Sequence, residues 1–253
     1  MKGRHRLLVL LSIVILISGC QPRENDSSNE SPIESTARSV VQAYQKYGEH
    51  LVDHAVVDFI DFTALQNLNP EIYAWLLIPG TSINAPITQS QSGDITFYQS
   101  HGPDLSENER GSLYTHFRYS TGQFSERVSV VYGKTLSSAS VLDGIESLYH
   151  SIDAIRQHQD LYIFTKTAVL HYSVFCSTDF SDVLLSSEYN AFRDTADTAS
   201  FLDDVRTYRT LRRQIDDAVS VTPENRMIVL TSRLEQNENK RFLVLAKLVD
   251  TTN

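Results

Sequence analysis

From residue 71 onward the chain is a succession of short apolar runs separated by turn residues: 74–78, 83–87, 112–115, 128–132, 161–166, 169–175, 227–231 and 242–249. Runs of this length rich in Val, Ile, Leu and aromatic residues predict β-strands, and many in succession predict a sandwich or a barrel. Between 37 and 68 the spacing is different. Val40, Val41, Tyr44, Leu51, Val52, Val56, Val57, Phe59 and Ile60 recur at helical intervals beside an acid-rich polar face, which predicts two packed helices. Two further helical stretches interrupt the strands, at 139–149 and 199–215. Residues 21–36 are polar, contain two prolines and have no apolar period, so they read as a flexible tether.

The first twenty residues form a unit of their own. Lys2, Arg4 and Arg6 precede an apolar run over 7–17, and Ile17-Ser18-Gly19-Cys20 follows. The run is about half the ~20 residues a helix needs to cross a bilayer, so it predicts an export signal rather than a permanent span. Ile-Ser-Gly-Cys resembles the bacterial lipobox, which implies cleavage before Cys20 and a lipid on its sulfur; two acyl chains suffice for stable anchoring. The other reading is an ordinary secretory signal that ends in a cysteine. The expected organisation is a lipoprotein signal peptide at 1–19, a lipidated tether at 20–36, helices at 37–70 and a barrel at 71–253. The expected location is the extracytoplasmic face of a bacterial membrane.

Loss of the signal's three cations takes the formal charge from -9 to -12, an acidic balance that excludes nucleic acid as a general partner. With Cys20 committed to lipid, Cys176 stands alone and no intrachain disulfide forms.

The order of segments becomes specific at Ile60-Asp61-Phe62, Leu65, Leu68-Asn69-Pro70, Ala74-Trp75-Leu76, Ile78-Pro79-Gly80-Thr81, Ile83 and Pro86-Ile87. This run resembles the entry to the catalytic domain of class B sortases, cysteine transpeptidases that attach proteins to the bacterial cell wall. Gly111-Ser112-Leu113-Tyr114, Val131-Tyr132-Gly133, Val221-Thr222-Pro223, Ile228-Val229-Leu230 and the strand 241–249 continue the resemblance in the family's order, over about residues 56–250. The implied fold is mainly β with added helices: a sortase-type β-barrel, an N-terminal helical pair, and a long helix inserted before the penultimate strand.

Sortase chemistry needs a thiolate nucleophile, a histidine acid and an arginine for the oxyanion. At the position that the resemblance gives the histidine, this chain has Lys134 after Tyr132-Gly133; at the cysteine position it has Arg233 after Thr231-Ser232; the arginine is kept as Arg241. The implied protein is a non-catalytic binding or scaffold lipoprotein for cell-wall protein or pilus assembly, with no cofactor. Its partners would be the membrane, surface proteins, sorting-signal peptides or an anionic cell-wall polymer. Lys134, Arg233 and Arg241 are expected to converge on one anion-binding cleft, with Glu235 and Asp94 as candidate counter-charges. The alternative is a divergent transpeptidase or peptidase. It would use Ser232 with Lys134, which strand alternation opposes, or Cys176, which reads as a small buried hydrophobe. His101, His116 and His171 lack metal-ligand spacing and are expected in core or solvated roles.

Overall fold

The computed structural model describes residues 30–134, 140–234 and 237–252, and its main compact unit runs from Ser31 to Asn253. Cys20, the signal segment, most of the tether and Glu235 lie outside the described residues.

The N-terminal helix α1 spans Pro32–Tyr47 and so begins inside the stretch read as tether. The cause is local. Ser31 caps the helix by accepting from the Glu34 amide at 3.2 Å, while the Glu34 carboxylate accepts from the Ser31 amide at 3.1 Å, a capping box with Pro32 in the first turn. Gly48, at φ 56°, ends it. Two 3₁₀ turns then lead to the short helix α2 (Phe62–Leu68), capped by Asp61. The expected pair is therefore one long and one short helix joined by a tight linker. Val40, Leu51, Val52 and Leu65 pack with Trp75, Tyr162 and Phe164 on the outside of the barrel. Trp75 Nε1 donates to Asn84 Oδ1 at 2.6 Å, and Asn84 Nδ2 donates to the Ala37 carbonyl at 2.7 Å, which ties α1 to the sheet through a buried aromatic.

The strands are β1 (Ile72–Leu77), β2 (Asn84–Thr88), β3 (Leu113–Thr115), β4 (Val128–Tyr132), β5 (Asp160–Thr165), β6 (Val169–Ser181), β7 (Gln214–Ile215), β8 (Met227–Leu234) and β9 (Asn237–Thr251). Their order is β5-β1-β2-β3-β4-β8-β9-β6, and pairing of β5 with β6 closes the eight into a barrel; β7 lies outside, on β6. The pairs β2–β3 and β4–β8 are parallel and the rest antiparallel. Side chains alternate between the two sides of this wall. Leu76, Val131, Ile163, Val174, Ile228, Leu230, Val244 and Ala246 fill the interior. Val130, Tyr132, Val229, Leu243 and Leu245 face outward and are covered by the segment between β6 and β8.

Where one helix over 139–149 was expected stands the short α3 (Ile145–Leu148), and a second short helix, α4 (Ile152–Gln157), follows beyond it. Beyond β6 comes α5 (Leu185–Glu188) and then α6 (Thr195–Thr207). The inserted helix is thus shorter than the expected 199–215 and starts earlier. Asp194 and Asp197 form its capping box, and Thr198, Phe201, Leu202 and Val205 are its buried stripe. The helix ends at Tyr208, whose backbone is no longer helical (φ -54°, ψ 129°) although its ring still packs on Phe180 at 4.9 Å. The chain straightens and Gln214–Ile215 joins the sheet. Among the described residues no helix is long and apolar enough to cross a membrane.

Candidate functional site

Thr231, Ser232 and Arg233 are consecutive on β8, so their side chains alternate faces. Ser232 is buried, on the side of Ile228 and Leu230, and its Oγ donates to the main-chain carbonyl of Lys134. Arg233 is on the outer side with Met227 and Val229, and its side chain is 48% exposed. Directly opposite it in the antiparallel β8–β9 register is Arg241.

Two like charges facing each other across strands repel. Asp182, just past the end of β6, offsets this by meeting both: its Oδ2 is 2.8 Å from Arg233 Nε and its Oδ1 is 2.5 Å from Arg241 Nε. The Asp182–Arg241 contact is close but poorly aligned, an ion pair rather than a hydrogen bond. Asp182 and Arg241 are both largely buried, at 14% and 12% side-chain exposure. Arg241 also sits over the Tyr132 ring at 5.5 Å, and Tyr132 stacks on Tyr114 at 5.6 Å. Burial pushes the pKa of the Tyr132 hydroxyl upward.

These groups line a cavity of about 250 Å³. Arg233, Arg241 and Asp182 are its charged lining residues. Ile95 and Leu184 are its apolar ones, and Tyr114, Tyr132, Gln99, Thr96 and His116 complete it. His116 is 8% exposed; its Nδ1 accepts from the Arg118 amide at 3.2 Å, and burial, reinforced by the Arg118 charge, lowers its pKa below the ordinary 6.5. The imidazole is therefore neutral at pH 7, with its proton on Nε2.

The expected convergence of three cations is corrected to two. Lys134 lies one residue beyond Gly133, where the chain has already left β4, and its Nζ donates to the Glu109 carbonyl. It lines a different cavity, of about 400 Å³, with Ser100, His101, Glu107, Asn108 and Glu109. Asp94 is likewise not the counter-charge. Its carboxylate accepts from the Thr96 amide and hydroxyl at 2.8 and 2.7 Å, and these hydrogen bonds lower its pKa. Asp182 takes that role, and neither Asp182 nor the cavity position of His116 was read from the sequence. His101 stacks on Phe97 at 3.9 Å, and His171 meets Asp160 at 2.8 Å.

Ser232 and Cys176, the two substitute nucleophiles, are both buried. Ser232 Oγ is bound to a carbonyl, and the Lys134 amine that would have to activate it is turned toward Glu109. Cys176 is fully buried, and burial pushes its thiol up to about 12.

No protein-family model matches the chain. Sortase B of Staphylococcus aureus is 22% identical over 95% of this chain and 94% of its own length. Sortase B of Listeria monocytogenes is 26% identical over 73% of this chain and 72% of its own. Among solved structures, a Staphylococcus aureus sortase B–substrate complex superposes with a TM-score of 0.65 at 21% identity, over 84% of this chain and 94% of that one. The closed eight-stranded barrel and the likeness over nearly the whole chain agree: the chain is similar in sequence to sortase B of these two bacteria and is built on the sortase fold.

Proposed function

We propose that the chain is a sortase-B-like binding or scaffold module that does not catalyse transpeptidation, held at the outer face of a bacterial membrane by a lipid on Cys20 and acting in cell-wall protein or pilus assembly. The observation that carries this reading is the Arg233–Asp182–Arg241 cluster. At the strand position where the family resemblance expects a nucleophile stands a guanidinium tied to a carboxylate. A guanidinium has no protonation state near neutral pH in which it attacks a carbonyl or donates a proton to a leaving amine. It is well suited to holding an anion.

Two arginines and one aspartate leave one net positive charge in the cavity, within a chain of formal charge -9. That local inversion of sign favours a carboxylate or phosphate ligand. The retained Arg241, which the resemblance assigns to oxyanion stabilisation, serves here as a ligand-holding group.

Binding of fluorescent surface-protein peptides and of an anionic cell-wall polymer to the wild type, Arg233→Gln and Arg241→Gln tests the reading. Saturable binding weakened by both substitutions is expected. Binding unchanged in both variants removes the groove from the account.

A further inference from the structure

We propose that the groove takes the free carboxylate of a peptide's last residue together with that residue's apolar side chain. This rests on the binding reading above and narrows its ligand.

Two chemically distinct sets of groups line the cavity. One set is charged: Arg233 and Arg241 both approach Asp182 through Nε. The other is apolar: Ile95 and Leu184, of which Ile95 is 37% exposed although it is a large hydrophobe. The stacked rings of Tyr114 and Tyr132 also line the cavity, with Arg241 over the Tyr132 ring. A phosphate polymer would satisfy the arginines and leave the apolar residues uncovered. An internal peptide segment brings a carboxylate only through an Asp or Glu side chain, on a different residue from the apolar one. A terminal residue brings both in one fragment, as in other sites that capture a chain end.

Size agrees with one residue. At about 250 Å³ the cavity is smaller than the roughly 300–1,000 Å³ typical of sites for drug-sized ligands. His116 adds a third contact. Its Nδ1 is occupied by the Arg118 amide, which leaves Nε2–H as the ring donor available to a carboxylate oxygen in the cavity. His116 is a specificity-determining group here, and a guanidinium–carboxylate contact supplies most of the affinity.

The test is calorimetric titration of the full-length chain with four probes: a triglycyl-leucine peptide with a free carboxylate, its C-terminal amide, tetraglycine with a free carboxylate, and inorganic phosphate. The leucine acid is expected to bind about ten-fold tighter than its amide, as the loss of one charge-assisted contact implies, and tighter than tetraglycine. Arg233→Gln, whose half-exposed side chain makes it the variant least disruptive to folding, should erase the difference between acid and amide. His116→Gln should reduce that difference while leaving the leucine-over-glycine preference intact. Equal binding of acid and amide, or of leucine and glycine termini, overturns the proposal. Phosphate binding without peptide binding also overturns it while leaving the anion-groove reading standing; failure of every probe, with no effect of Arg233→Gln on polymer binding, removes both.

Discussion

Arg233 and Arg241 face each other across the β8–β9 ladder, and both lean on the single carboxylate of Asp182. Asp182 therefore neutralises part of the charge that would attract a ligand. Asp182→Asn should have two opposed effects. Anion affinity should rise about ten-fold, the size expected for removing one competing close charge. Stability should fall by about 3 kcal/mol, the low end for breaking a buried pair because Arg233 is half exposed. Titration and urea unfolding of the same variant measure the two; an unchanged affinity would mean that the carboxylate and the ligand do not share the arginines.

Lys134→Ala should leave groove binding unchanged, because Lys134 reaches the Glu109 carbonyl in a neighbouring cavity. The comparison with Arg233→Gln under one protocol is decisive: equal losses in both would place Lys134 back in the site.

Position 233 can be probed with a thiol. Arg233→Cys should be alkylated rapidly by iodoacetamide, since the position is half open to solvent. Native Cys176 should resist, being fully buried with its thiol pushed up to about 12. Peptide mapping of the modified sulfur checks both at once; modification of Cys176 in the folded protein would contradict the burial argument.

Acid should weaken the fold through His116. Its folded pKa is lowered from 6.5, first by burial and then by Arg118, so the unfolded chain binds the proton more readily. The neutral form's contribution is fully present above about pH 6.5 and is lost as the pH falls through the lowered folded value. Thermal melts between pH 7 and 5 should show a decline that is shallower in His116→Gln. An identical decline in both would assign the effect to other groups.

Asn84→Ala removes the link between Trp75 Nε1–H and the Ala37 carbonyl and leaves both without their side-chain partner. The cost should be about 1–3 kcal/mol, the penalty for orphaned buried polar groups. Hydrogen exchange should show the loss concentrated in α1.

The barrel was legible because its strands carry their signal locally. Val128–Tyr132 and Met227–Leu234 are dense in β-branched and aromatic residues, and the order of motifs along the chain sets their succession. Strand alternation also placed Ser232 away from Arg233 correctly, since a period of two needs only the sequence. Lys134 escaped the same reasoning: Gly133 ends the strand, and beyond it no parity governs direction. Asp182 was invisible for another reason. Strand β6 runs to Ser181, six residues beyond its apolar stretch, and so delivers a polar residue to two arginines more than fifty positions away. The cap of α1 was present in the sequence as Ser31-Pro32-Ile33-Glu34 and was overlooked because the surrounding composition is polar.

The central claim is that the groove binds without cleaving. The most direct measurement follows a labelled sorting-signal peptide with the wild-type chain, recording saturation by fluorescence anisotropy and product by mass spectrometry in the same samples. Saturable binding that Arg233→Gln abolishes, with the peptide intact, is the predicted result. Cleaved or transferred peptide that disappears on changing Ser232 or Cys176 would contradict it.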